Sequence, residues 1–343
     1  MPLTPSVSLV EIRPLNLADD AEMRVAYDAT RRAELVGRET APHWSFENFL
    51  GAMRSTDSGE RMESFVGFVD GELVSFGVVY LFLLDNTDKG FVEVRVDPAH
   101  RRKGYGRQML EHLLAIFEEE GRTQVLAETK VPMDEVQTHP NALFLKAARF
   151  THSNVELVRY QALPIADAEI QTWIDRAAEK HQGGYRIETF NDDVSAELVP
   201  GLCELFGQLA VDAPTGEVEF EEEVMTPERY AERQAMIKAM GRTVLETLAI
   251  APDGTVAAQS TLSIPLDDSG DVWQWGTFVH REHRGRRLGL ATKAANLRAL
   301  QTRFPGKTRV VTQNAENNEF MVAINVLMGF ELVEASAEFV KRF

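Results

Sequence analysis

His100-Arg101-Arg102-Lys103-Gly104-Tyr105-Gly106 is echoed later in the chain by His283-Arg284-Gly285-Arg286-Arg287-Leu288-Gly289, with Gly106 and Gly289 lying 183 positions apart. What surrounds the two segments repeats as well. Each follows a strand-like run, 91–96 and 272–279, and each opens an amphipathic helix. The first helix, expected over 107–120, sets Met109, Leu113, Ile116 and Phe117 at helical spacing and stops at Gly121. The second sets Leu290, Ala294, Leu297 and Leu300 on one side and ends near Phe304, before Pro305-Gly306. Upstream, Asp70-Gly71 and Pro252-Asp253-Gly254 each separate two strand-like runs, 64–69 from 72–83 and 244–250 from 255–264. Downstream, further strands are expected at 124–129 and 308–312, followed by shorter helices ending near Phe150 and Phe330. The repeat predicts an α+β chain of two similar domains, each a mixed β-sheet flanked by helices. A helical pattern over 167–180 and the Gly183-Gly184 break place the domains at 1–165 and 184–343, with 166–183 as connector.

Length and composition agree. The 343 residues exceed one ordinary domain and suit two. Hydrophobic residues at 44% and charged residues at 26% supply a core and exclude disorder as the dominant state. Lys and Arg number 36 against 53 Asp and Glu, and the net charge of −17 is a poor match to nucleic acid or an anionic membrane. The same balance favours a cationic partner. Cys203 is the single cysteine, which rules out an intramolecular disulfide and a cysteine metal cluster. Residues 1–10 carry no basic segment followed by an apolar run, and no stretch approaches a membrane span, so a cytoplasmic protein is expected.

A strand that passes through a Gly- and Arg-rich turn into a helix N-terminus is an anion-binding arrangement. The first helical turn has unpaired N–H groups, and the helix dipole favours negative charge there. Glycine lets the backbone approach a pyrophosphate, and Arg101, Arg102, Lys103 and Arg107 would add charge-assisted contacts. Neither G-x-x-x-x-G-K-[ST] nor a dinucleotide-type G-x-G-x-x-G stands here; the pattern is R-x-x-G-x-G, as Arg101, Gly104 and Gly106. The wider stretch from Val94 through His100 to Gly106 resembles the strand and loop by which the GNAT (Gcn5-related N-acetyltransferase) superfamily grips coenzyme A. In the second half, 312–317 and 325–330 resemble the family's later segment, where a strand end and an Asn-rich helix start flank the pantetheine arm. The resemblance covers nearly the whole chain as two copies.

The resemblance implies acetyl transfer from acetyl-CoA to the amine of a small molecule by direct attack in a ternary complex. No metal is implied. Cofactor contacts carry over to Val94, Val96, Arg101, Arg102, Lys103, Gly104, Tyr105, Gly106 and Arg107 in the first copy. In the second they carry over to Val279, Arg284, Arg286, Arg287, Gly289, Ala291, Asn314 and Asn317. Arg287 replaces the first glycine of that copy, which favours the first half for the cofactor. Backbone N–H groups around Val94 and Val96 would stabilise the developing oxyanion. Glu93, on the strand before the loop, is the candidate base that takes the amine proton, with Glu128 on the next strand in reserve. Gly276 stands at the position matching Glu93. The family's usual acid, a tyrosine near the end of the last helix, is missing: Asn325 and Leu145 occupy its places.

Two other readings stand beside this one. A catalytically degenerate pair that binds acyl-CoA as a sensor or scaffold would explain the missing tyrosines. A tandem peptidyl transferase using charged tRNA is opposed by the acidic charge. Acceptor-binding loops are expected around 41–53 and 209–225, with the acidic run 217–223 as a lid for a cation or a solvated loop. Cys203 reads as packing, Trp273 and Trp275 as core, and His280 and His283 as too poorly supported for a metal site.

Overall fold

The computed structural model describes residues 8–42, 44–182, 184–212, 214 and 216–343; residues 1–7 of the leader reading and Gly183 of the expected break lie outside them. The contacts divide the chain into two compact units. Unit 1 comprises residues 1–129, 140–152 and 338–343, and unit 2 comprises 130–139 and 153–337. The connector expected at 166–183 is a helix inside unit 2, and the chain crosses between units at other places than a single linker.

In unit 1, β1 (Glu11–Pro14), β2 (Glu60–Val69), β3 (Glu72–Phe82) and β4 (Lys89–Val96) pair antiparallel in chain order, and β5 (Gln124–Val131) pairs parallel with β4. The β2–β3 turn holds Asp70 and Gly71 both at positive φ, 53° and 81°, the geometry a two-residue hairpin requires. One sheet face carries α1 (Asp20–Glu34) and α2 (Phe46–Arg54), started by the Asp19 and Ser45 side chains, which accept from first-turn N–H groups. Met23, Ala26, Phe49, Phe76 and Val78 are buried together there. α3 (Tyr105–Glu119) packs on the sheet at β3 and buries Met109, Leu110, Leu113 and Phe117. The close approach depends on Gly77, where a Cβ would lie 2.7 Å from Leu113 Cδ1. α4 (Pro140–Ala147) follows.

Unit 1 takes its last segment from the far end of the sequence. β6 (Thr151–Ala162) begins in unit 1 and continues in unit 2 from Ser153, while β12 (Glu331–Arg342) passes from unit 2 into unit 1 at Glu338. Within unit 1, Phe339 is fully buried with its ring edge-on to His152, Lys341 Nζ donates to the Ala148 carbonyl at 3.0 Å, and the Phe343 N–H donates to the Thr123 carbonyl at 3.1 Å.

Unit 2 repeats the plan. After α5 (Asp167–His181), β7 (Arg186–Asn191), β8 (Arg242–Ile250), β9 (Val256–Pro265) and β10 (Asp271–Val279) pair antiparallel, and β11 (Arg309–Ala315) pairs parallel with β10 and antiparallel with β6. α6 (Val199–Asp212) and α7 (Pro227–Ala239) enclose one core with Leu248, Ile250 and Phe278. α8 (Leu288–Arg303) lies in the other, between sheet residues such as Leu245 and Leu262 and the α5 residues Ile170, Trp173 and Ala177. That position buries even Thr292, Lys293 and Asn296. α9 (Glu319–Leu327) precedes β12. α3 starts at Tyr105, two residues before the expected 107, and ends at Glu119 rather than 120.

Candidate active site

Both loops adopt one conformation. Two residues, spaced two apart, take positive φ in each: Arg102 (65°) and Gly104 (86°) in unit 1, Gly285 (79°) and Arg287 (57°) in unit 2. Glycine holds the second position in one copy and the first in the other. Arg287 therefore does not abolish the turn; it takes the left-handed region at a cost of about 1–2 kcal/mol. Its guanidinium is anchored on α5, donating to the Arg176 carbonyl at 2.6 Å and to Glu179 at 2.9 Å. Neither α3 nor α8 has a side-chain cap, so their first-turn N–H groups remain available to an anion.

The strands before the loops also match. The parallel β4–β5 pairing runs from Lys89/Gln124 to Phe91/Leu126 and stops, while β4 continues to Val96. The β10–β11 pairing stops at Gln274/Thr312, while β10 continues to Val279. Each pair thus splays toward the helix N-terminus. The edges of Val94 and Val96, and of Val279, are left beside the opening. Of the two strands, β10 carries a bulge where β4 pairs in regular register with β3: Gln274 pairs with Leu262 and Gly276 with Thr261, so Trp275 has no opposite number on β9.

Charge is arranged differently in the two loops. Arg101 turns inward, donating to the Val96 carbonyl at 3.3 Å and the Ala33 carbonyl at 2.9 Å, which ties the loop to β4 and α1 rather than to an anion. Arg284 does the same to the Val279 carbonyl at 3.4 Å and pairs with Asp212 at 2.5 Å. Arg107 is exposed and pairs with Glu111, Tyr105 is buried, and Arg286 donates to the Glu282 carbonyl. Arg102 and Lys103 are exposed and have no partner among the described residues. A Cβ at Gly106 would lie 2.9 Å from Val96 Cγ2, whereas one at Gly289 would meet its neighbours at an ordinary 3.4–3.6 Å. Unit 1 thus offers the freer positive charge and the closer helix–strand approach, features that fit a pyrophosphate.

Glu93 and Arg95 share the β4 face opposite Val94, with their ion pair at 3.2 Å. Burial works to lower the Arg95 pKa, but the Glu93, Glu34 and Glu128 carboxylates outweigh it and hold the guanidinium above its ordinary value. The two proposed bases therefore converge on one arginine. Burial, then Glu93 and Glu60, push the Tyr80 hydroxyl well up, so it stays protonated beside them.

In unit 2 the expected acid position is occupied otherwise. Asn325 is fully buried in α9, donates to Asn314 Oδ1 at 2.9 Å and accepts from Lys293 Nζ at 2.8 Å. Burial lowers Lys293 to about 7. Ala291 is packed in the α8 core and Asn317 is exposed. The sequence reading missed Lys293, a lysine in the middle of an otherwise helical apolar face.

It also missed a cavity of about 130 Å³ beside the β10 bulge, lined by Phe206, Arg233, Thr261, Trp275 and Gly276. Leu209 and Glu223, from the segment expected to bind the acceptor, complete the lining. Beneath it Glu246 is buried, with Thr261 Oγ1 at 2.8 and 3.0 Å from its two oxygens; burial raises its pKa to about 8. Trp275 is thus a cavity wall, not core. Cys203 packs in the α6 core, and burial pushes its thiol up to about 11. His283 Nδ1 bonds the Tyr185 hydroxyl, and among the described residues no group of three or more His, Cys, Asp or Glu is placed to hold a metal. Among the described residues no helix is long and apolar enough to cross a membrane.

Residues 23–139 match the acetyltransferase (GNAT) family model. A tandem GNAT protein from the clavulanic acid biosynthesis pathway superposes with a TM-score of 0.77 at 22% identity, over 97% of this chain and 98% of its own. A GCN5-related N-acetyltransferase from Sphaerobacter thermophilus gives 0.63 at 17%, over 97% and 95%. The glucosamine N-acetyltransferase region of a fungal multi-domain β-N-acetylglucosaminidase gives 0.63 at 17%, over 99% of this chain and 38% of that one. At these identities the structural likeness is one of fold. No curated protein gives a significant match. The chain carries a GNAT-family acetyltransferase domain at residues 23–139, set within a tandem GNAT fold that spans both halves.

Proposed function

We propose that this chain is an acetyl-CoA-dependent N-acetyltransferase that acts on the amine of a small molecule in the cytoplasm. The observation that carries the reading is the uncapped N-terminus of α3 at the end of a splayed parallel strand pair, with Arg102 and Lys103 unpartnered beside it. Acetyl-CoA, when bound, supplies an activated acetyl thioester. The α3 N–H groups, Arg102 and Lys103 hold its phosphates, and the free edge of β4 at Val94 and Val96 orients the acyl end. Glu93, fixed by Arg95, takes the proton that the attacking amine must lose. The net charge of −17 raises the local concentration of a protonated amine. Release of free thiol from acetyl-CoA in a screen of amines tests the reading. Charge reversal of both Arg102 and Lys103 should weaken acetyl-CoA binding in calorimetry without disturbing the fold, since neither side chain supports another. Unchanged affinity would refute the phosphate assignment, and binding of acetyl-CoA without thiol release from any amine would favour the sensor reading.

A further inference from the structure

We propose that the cavity beside the β10 bulge is a ligand-binding site of unit 2 that takes an amine also bearing a carboxylate, held by the Arg233 guanidinium with the Gln259 side-chain amide behind Gly276. The proposal goes beyond the acetyl-transfer reading and does not rest on it. Arg233 is half-buried, its guanidinium 5.1 Å from the centre of the Phe206 ring and 5.8 Å from that of Trp275, and it makes no ion pair or hydrogen bond among the described residues. A guanidinium held against two aromatic walls without a carboxylate is a ready bidentate partner for one. Gln259 is fully buried, yet its Nε2 has no partner. An unmet buried donor is costly, so it marks a place where a ligand acceptor would be favoured. It lies behind Gly276 of the cavity lining: a Cβ on Gly276 would stand 3.3 Å from Nε2, and glycine leaves that path open.

The hydrogen-bond order beneath the cavity fixes the amide. Thr261 Oγ1 lies 2.8 Å from one Glu246 oxygen and 3.0 Å from Gln259 Oε1, and it has one proton to give. With Glu246 neutral, as its pKa near 8 implies at physiological pH, the carboxyl proton goes to Thr261 and the threonine proton to Gln259 Oε1. That order leaves Nε2, on the Gly276 side, as the unmet donor and puts no anion beside Thr261. Tyr230, raised by burial and then by Glu246, also remains neutral. The one carboxylate on the lining is Glu223 at the rim, 3.5 Å from Arg229, placed to attract an ammonium. Two donors inside and one carboxylate at the rim complement a zwitterion. The volume, about 130 Å³, admits a carboxylate with one or two methylenes.

Unit 1 does not repeat this polar set. The residues 183 positions before Arg233, Gln259 and Thr261 are Leu50, Phe76 and Val78, all packed in its α1–α2 core. The polar set is therefore a property of unit 2 and not of the shared fold.

Calorimetric titration of the full chain, without acetyl-CoA, with glycine, 4-aminobutyrate and n-butylamine tests the site. At least one aminocarboxylate should bind and n-butylamine should not. Arg233→Gln should weaken that binding about 10–100-fold, the worth of a charge-assisted pair, with Arg233→Lys retaining part of it. Gly276→Ala should weaken it too, because its methyl covers Gln259 Nε2; this variant decides the matter if Arg233→Gln fails to fold. Equal affinity for n-butylamine, no binding by either aminocarboxylate, or full binding by both variants would overturn the proposal. Aminocarboxylate binding that Arg233→Gln weakens supports the site whether or not acetyl-CoA releases thiol, because the amine screen tests the transfer reading separately.

Discussion

Replacing Lys293 with methionine should make unit 2 more stable at neutral pH and abolish part of its pH dependence. The ammonium is fully buried among α8, α9 and β11, with Asn325 Oδ1 at 2.8 Å and the Phe330 ring centre at 4.7 Å, and no carboxylate pairs with it among the described residues. Burial lowers its pKa from 10.5 to about 7. At 1.36 kcal/mol per decade, that fall corresponds to about 5 kcal/mol as an upper bound. The sign follows from proton counting. Between pH 7 and 10.5 the unfolded lysine holds more proton than the folded one, so stability rises with pH across that window and is lost as pH falls through 7. Methionine has similar length and no charge, but it leaves the Asn325 oxygen unpartnered at about 1–3 kcal/mol. The variant should therefore exceed the wild type by roughly 2–4 kcal/mol at pH 7, and the gap should close and reverse toward pH 10.5. Urea unfolding followed by tryptophan fluorescence suits the measurement, since Trp173, Trp273 and Trp275 lie in unit 2 and only Trp44 in unit 1. Taking the difference between variant and wild type cancels the opposite slope from Glu246, whose raised pKa makes stability fall between pH 4.5 and 8. A gap that stays constant from pH 7 to 10 would refute the reasoning, because it would mean Lys293 keeps an ordinary pKa.

Two other substitutions probe unit 1 and its counterpart. Glu93→Gln should lower turnover about 10²–10⁴-fold and flatten the acidic limb of the pH–rate profile, with acetyl-CoA affinity unchanged; near-normal turnover would move the role to water or Glu128. Gly106→Glu should cost acetyl-CoA two to three orders of magnitude in affinity, about 3–4 kcal/mol, and Gly289→Glu much less. Thermal unfolding of both variants separates this from packing, since a Cβ at Gly106 would also press on Val96. Binding that survives the first change and vanishes with the second would assign the cofactor to unit 2.

The repeat made the strands, the loops and the long helices legible, because a glycine–arginine turn between a strand and an amphipathic helix is a local pattern and it occurs twice. Arg101 shows the limit of such reading. Charge alone suggested a phosphate ligand, but a guanidinium also satisfies carbonyls at a strand end, and Arg101 and Arg284 both do that. Arg287 shows another: a side chain where glycine is customary displaced nothing, since its head found partners on α5. Membership of 153–162 and 338–343 was hidden because alternation says that a segment is a strand and not which sheet it joins. The cavity left a faint trace. Glu246 stands in a strand whose nine residues are all buried, and polar Gln259 and Thr261 replace Phe76 and Val78. Comparing the copies position by position, rather than loop by loop, reveals them.

The exchange of terminal segments couples the folding of the two halves in time. During synthesis, unit 1 cannot close when residue 165 emerges, since the segment that buries Phe339 and bonds Thr123 is made some 170 residues later. Its sheet waits as an open edge, the kind of surface that recruits stray strands. Unit 2, in turn, needs β6, which leaves the ribosome before any other strand of that unit. A chain cut between the copies would yield two fragments, each holding a strand that belongs to the other. The duplication is thus no longer divisible: two copies in the sequence have become one folding problem.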